Sequence, residues 1–109
     1  MTSTVASGKR ATLPRASDCT GEFRKDWERL TRSGRYDMAR LKAVMMHLIA
    51  NEGPLPPERR DHALAGEFQD HRECHIGGDF LLIYRLADAG KRPSVIFVRA
   101  GTHSDLFGR

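Results

Sequence analysis

The sequence predicts an α+β fold: a small antiparallel β-sheet packed against an N-terminal two-helix hairpin. Three observations carry this. Apolar residues recur at helical spacing across residues 21–50. A break rich in proline, NEGPLPP, follows at 51–57. Beyond it the pattern changes to runs of strand formers joined by short turns, and such strands pair antiparallel. Helices gathered before a sheet, rather than alternating with strands, make an α+β arrangement.

The first helix is predicted over GEFRKDWERLTRSG, where Phe23, Trp27 and Leu30 fall at i, i+4 and i+7. Asp18 or Thr20 offers the N-cap and Gly34 the stop. A second helix opens at Asp37, with Met38, Leu41, Val44, Met45, Leu48 and Ile49 as its apolar stripe. Both stripes read as core. Arg24, Lys25, Arg29, Arg32, Arg35, Arg40 and Lys42 decorate the hairpin and read as a solvated face, part of which is free to meet a partner. RATLPRA (10–16) is expected to be an edge strand or an extended arm, because Pro14 lacks the N–H of a ladder residue. Residues 1–9 are small and polar and are expected to be a disordered extension.

In the second half, EFQDHRECHI alternates partially. DFLLIYRLA (79–87) reads as a buried strand, DAGKRP (88–93) as a hairpin loop and SVIFVRA (94–100) as the returning strand. The end, GTHSDLFGR, is polar except for Leu106 and Phe107.

A length of 109 residues predicts one domain, and 39% hydrophobic with 29% charged residues is ordinary for a soluble protein. No apolar run approaches the ~20 residues of a membrane helix, and the start lacks the apolar stretch of a secretory signal. The expected location is therefore the cytoplasm, with no membrane contact. There Cys19 and Cys74 are expected to be free thiols. Lys and Arg number 18 against 14 Asp and Glu, a moderate basic excess that suits RNA or an acidic protein.

The histidines at 47, 62, 71, 75 and 103 separate by context. His47 lies inside the second helix and reads as a helix residue, and His71 reads as a surface residue. His75 ends one strand and Asp79 begins the next, with Ile76-Gly77-Gly78 between them. His103 follows the strand that returns antiparallel to 79–87. Hairpin connectivity thus brings His75, Asp79 and His103 to one edge of the sheet, with Arg72 and Arg99 nearby. Scattered surface histidines would give the same spacing. Two chemistries also fit it. One is a metal site with His75, Asp79 and His103 as ligands. The other is acid–base cleavage of RNA by its own 2′-hydroxyl. That reaction needs a base, an acid and cations to hold the phosphate. Histidine titrates near neutrality and arginine suits phosphate.

The segment DHALAGEFQDHRECHIGGDFLLIYRL, with VRAGTHSDLFG after it, resembles the YafQ branch of the RelE-like bacterial toxins. The likeness spans Asp61 to Gly108. It rests on four motifs in order: Asp-His-x-Leu-x-Gly, Arg-x-x-His-x-x-x-Asp, Leu-Ile-Tyr and Gly-Thr-His-x-x-Leu-Phe. The resemblance implies a toxin of a type II toxin–antitoxin system with the RelE-like fold. It implies an endoribonuclease that cuts messenger RNA in the A site of the 70S ribosome without a metal or other cofactor, and a cognate antitoxin as partner. Motif by motif, it implies catalytic roles for His62, His75, Asp79 and His103. His103 would be the general acid, His62 and Asp79 the base and its support, and His75 a phosphate contact. Phe107 would help orient substrate, Arg72 would be a phosphate or structural cation, and Phe80 would stack on a base or pack under the sheet. Gly78 stands where the family often has proline. A non-catalytic RNA- or protein-binding module of the same fold is the remaining alternative.

Overall fold

The computed structural model describes residues 12–90 and 92–108. The extension expected at 1–9 lies outside them. The elements follow in the order β1 (Ala16–Cys19), α1 (Gly21–Ser33), α2 (Met38–Ala50), β2 (His62–Ala63), β3 (Arg72–Gly77), β4 (Phe80–Ala87), β5 (Ser94–Gly101) and α3 (His103–Phe107). One-turn helices at Pro57–Arg59 and Gly66–Phe68 flank β2.

Both long helices start and stop where the residues dictate. Thr20 is the N-cap of α1: its Oγ1 accepts the Phe23 N–H at 3.0 Å and donates to the Val98 carbonyl at 2.7 Å. Gly34, at φ 70°, closes α1 in the left-handed conformation that glycine adopts without strain. Asp37 caps α2 by accepting the Arg40 N–H at 2.9 Å. Phe23 and Leu30 of α1 and Leu41, Val44 and Leu48 of α2 are buried, while Met46 points outward. Thr20 ties cap and sheet together, so Thr20→Ala is expected to cost about 1–2 kcal/mol, read as a lower urea midpoint with an unchanged slope. An unchanged midpoint would show that the cap contributes nothing.

The sheet has five strands in the order β1-β5-β4-β3-β2. β5-β4-β3-β2 are antiparallel, and β1 adds a parallel pair along β5. The edge strand therefore lies at 16–19, and residues 12–15 of the segment expected to form it precede the strand. Its sequence, ASDC, lacks an apolar alternation, so nothing local marks it. β3 runs on to Gly77 and β4 begins at Phe80, which leaves Gly78 and Asp79 as a two-residue turn. Gly78 sits at φ 55°, a conformation that favours glycine.

The run FLLIY is buried on both faces of the sheet. Phe80, Leu82 and Tyr84 face α1 and α2 with Cys74, Ile76, Val95 and Phe97. Leu81 and Ile83 face the other way, onto Leu106 of α3, with Leu64, Phe68, Val98 and Phe107 around them. Cys19 and Cys74 are free thiols, and burial pushes the Cys74 thiol up to about 12. Among the described residues no helix is long and apolar enough to cross a membrane.

Candidate active site

The face of the sheet away from α1 and α2 carries His62 and His75, and α3 brings His103 to it. Thr102-His103-Ser104-Asp105 forms a capping box. Thr102 Oγ1 accepts the Asp105 N–H at 3.1 Å, and Asp105 Oδ2 accepts the Thr102 N–H at 3.0 Å. This backbone hydrogen bond, helped by Arg29, holds the Asp105 carboxyl below its ordinary value. Gly101 is needed just before the box: at φ 155° a side chain is strained, and its Cβ would lie 2.7 Å from Asp105 Oδ2. The polar end of the chain is thus a short helix. Thr102, Asp105 and Gly108 are its sequence signature, with Leu106 as the buried anchor.

His103 enters at the first helical position and meets Asp79 from the β3–β4 turn. Asp79 Oδ1 accepts from His103 Nδ1 at 2.5 Å and from the His103 N–H at 3.2 Å. A carboxylate only accepts, so Nδ1 carries the hydrogen and Nε2 is the nitrogen left to exchange a proton. The two donors hold the Asp79 carboxyl below the ordinary carboxylate value, the ring N–H being the larger cause. Both side chains are about half exposed, at 51% and 57%. The His75 ring stands edge-on to that of His103, with centroids 6.4 Å apart. The structure therefore brings His75, Asp79 and His103 together.

His62 belongs to the same face but to a different partner. It lies on β2 and pairs with Glu73 of β3. Its Nδ1 is 2.7 Å from the Arg60 carbonyl and its Nε2 is 3.1 Å from Glu73 Oε1, so both ring nitrogens are occupied by protein oxygens. Glu73 and His75 are successive residues on one side of β3, about 7 Å apart along the strand. Glu73 is 4% exposed, and its Oε2 has no hydrogen-bond partner among the described residues.

Three of the sequence candidates sit elsewhere. Arg72 is bound by Asp61, with Nη2 3.1 Å from Oδ2 and Nε 3.2 Å from the same oxygen, and Tyr84 donates its hydroxyl to the other Asp61 oxygen. The Asp61 hydrogen bond raises the Arg72 pKa. Arg99 is bound by buried Asp26, its Nε 2.7 Å from Oδ2, which raises its pKa as well. Each guanidinium is thus paired with a carboxylate of the protein, with the Arg72 side chain 36% exposed and that of Arg99 22%. Phe80 is 6% exposed and packs on Tyr36 at 5.0 Å, so it lies under the sheet and is not open to stack on a base. Phe107, by contrast, stands beside the site, 5.9 Å from the His103 ring and 5.8 Å from Phe68.

The sequence reading did not single out Glu73, Asp61 or Arg59. Arg59 donates Nη1 to the Ile76 carbonyl at 2.8 Å and to that of His75 at 3.3 Å, where the β3–β4 ladder shifts register. Glu73 had one available signal: it lies two residues before His75 in a strand, on the same side. Among the described residues no three His, Cys, Asp or Glu side chains gather as metal ligands would.

Known proteins resemble this chain over most of its length. The family model for YafQ, bacterial toxins of type II toxin–antitoxin systems, matches residues 15–108. The mRNA interferase toxin YafQ of Escherichia coli K12 is 38% identical over 96 residues, which is 88% of this chain and 99% of that protein. The structure of the E. coli DinJ–YafQ toxin–antitoxin complex contains a chain superposing with a TM-score of 0.76 at 38% identity, over 88% of this chain and 100% of that one. A metal-bound toxin from Helicobacter pylori superposes with a TM-score of 0.74 at 36% identity, over 87% of this chain and 100% of its own. This chain belongs to the YafQ family of type II toxin–antitoxin toxins.

Proposed function

We propose that this protein is a toxin that arrests translation in the cytoplasm by cutting messenger RNA presented on the ribosome, and that a cognate antitoxin silences it. The observation that carries the chemistry is the pair of imidazoles at 6.4 Å, one of them aligned by a carboxylate. In the reaction the 2′-hydroxyl loses its proton to a base and its oxygen attacks the adjacent phosphorus. The bond to the 5′-oxygen breaks and that oxygen takes a proton from an acid. The products are a 2′,3′-cyclic phosphate and a 5′-hydroxyl end.

His103 acts as the acid in its imidazolium form: Asp79 accepts the Nδ1–H and balances the charge of the ring, and the outward Nε2–H gives its proton to the 5′-oxygen. The base is His75 in this reading, in place of His62. The ring nitrogens of His75 have no hydrogen-bond partner among the described residues, whereas both nitrogens of His62 are engaged. His62 and Glu73 then shape the floor beside His75, and Phe107 packs against His103. A net charge of +4 is modest for a protein that grips RNA alone, which favours a substrate delivered by the ribosome.

The test is to map the ends of messenger RNA after brief expression in a bacterium, with and without a block on initiation. New 5′-hydroxyl ends, in frame and confined to translated messages, are expected. Cuts of equal depth in untranslated messages would remove the ribosome from the reading, and 5′-phosphate ends would remove attack by the 2′-hydroxyl.

A further inference from the structure

We infer that the cleft beside the β3–β4 turn, walled by Arg40, Arg59 and Arg60, holds the phosphate neighbouring the scissile one; this rests on the ribonuclease reading above. The cleft has a volume of about 390 Å³, and His75 and Gly77 are among the residues that line it. A strand whose scissile phosphate lies between His75 and His103 passes His75 and enters it.

The cations of this cleft differ from Arg72 and Arg99 in being largely unneutralised. Among the described residues neither Arg59 nor Arg60 has a carboxylate within salt-bridge distance. Arg40 is half exposed, and its Nε lies 3.7 Å from Asp37 Oδ2. Glu58 is the one carboxylate in the lining. Arg59 spends Nη1 on the carbonyls of His75 and Ile76, and Arg40 Nη1 reaches the Ile76 carbonyl at 3.4 Å. These contacts fix the guanidiniums against the backbone of the turn. Their remaining N–H groups form a preorganised wall of donors, which is what a phosphodiester oxygen requires. Gly77 keeps that wall close: a Cβ there would lie 3.2 Å from Arg40 Nη1. Arg60 also lines the cleft, exposed, directly before the Asp61-His62 pair.

The test uses the full chain on ribosomes programmed with a short message, read as single-turnover cleavage against toxin concentration. Arg40→Gln and Arg60→Gln are each compared with wild type. The message carries either ordinary phosphates or a single neutral methylphosphonate beside the scissile position. Each variant is expected to raise the half-saturating concentration about tenfold on the ordinary message, as loss of a charged hydrogen bond does. At one methylphosphonate position the wild type should lose the same factor and the variants nothing further. Losses that multiply at every position would overturn the inference, as would variants that cut like wild type. If the variants cut normally but no longer bind the cognate antitoxin, the cleft takes an acidic protein and the inference is again overturned. A wild type that cuts no message would sink the ribonuclease reading itself. Thermal melts of both variants, expected to match wild type, separate binding from folding.

Discussion

His103→Ala is expected to lower mRNA cleavage by about 10²–10⁴-fold, the usual size of a lost acid–base group, while leaving the fold intact. The side chain is half exposed, and α3 is held by the capping box and by Leu106 rather than by the imidazole. The loss should fall on the maximal single-turnover rate and not on half-saturation, because proton transfer is made only in the transition state. Asp79→Asn should cost less, since an amide oxygen still accepts from Nδ1, although without the charge. The pH dependence follows from the sign of the Asp79 shift. Its folded pKa lies below the ordinary value, so the anion is present throughout the carboxylate range and above, and its contribution is lost only as pH falls through the lowered value. Between about pH 5 and 8 Asp79 therefore contributes no limb to the rate profile. His103→Ala retaining activity within a few-fold of wild type would end the assignment of His103 as the acid.

The parts of this site that were legible in the sequence were those fixed by chain connectivity. A strand ending near His75, a tight turn, and a hairpin returning to His103 leave those residues little choice but to meet. The helical stripes were legible for a similar reason, because Phe23, Leu30, Leu41 and Leu48 need only local periodicity to find the core. What was not legible depends on partners far along the chain. Arg99 is neutralised by Asp26, 73 residues earlier, and Arg72 by Asp61 across the β2–β3 connection. From sequence alone each arginine looks available for phosphate. Phe80 begins a strand buried on both faces, and its ring lies on the helix side, against Tyr36. β1 escaped notice because ASDC is held by the backbone of β5, and side chains give no sign of that pairing. Arginines without an acidic partner, such as Arg59 and Arg60, are therefore better placed than Arg72 and Arg99 to meet RNA.

Asp26→Ala should cost about 3–5 kcal/mol of stability. The carboxylate is 5% exposed and accepts from Arg99 Nε at 2.7 Å, Arg99 Nη2 at 3.2 Å, the Ala100 N–H at 3.0 Å and Arg29 Nη2 at 3.2 Å. Removing it strands a largely covered guanidinium and a buried backbone donor together. Against a total of about 5–15 kcal/mol for a domain of this size, such a loss should lower Tm by more than about 10 °C. Asp26→Leu combined with Arg99→Leu should cost less than Asp26→Ala alone, because no unpaired charge then remains inside. The comparison also decides what Arg99 does. If Arg99 works only as the partner of Asp26, the double variant that folds at low temperature should cut mRNA at close to the wild-type rate, since β5 still delivers Gly101 and His103 to the turn. A double variant that is folded by circular dichroism yet loses cleavage 100-fold would show that the guanidinium serves the substrate after all, despite the carboxylate beside it.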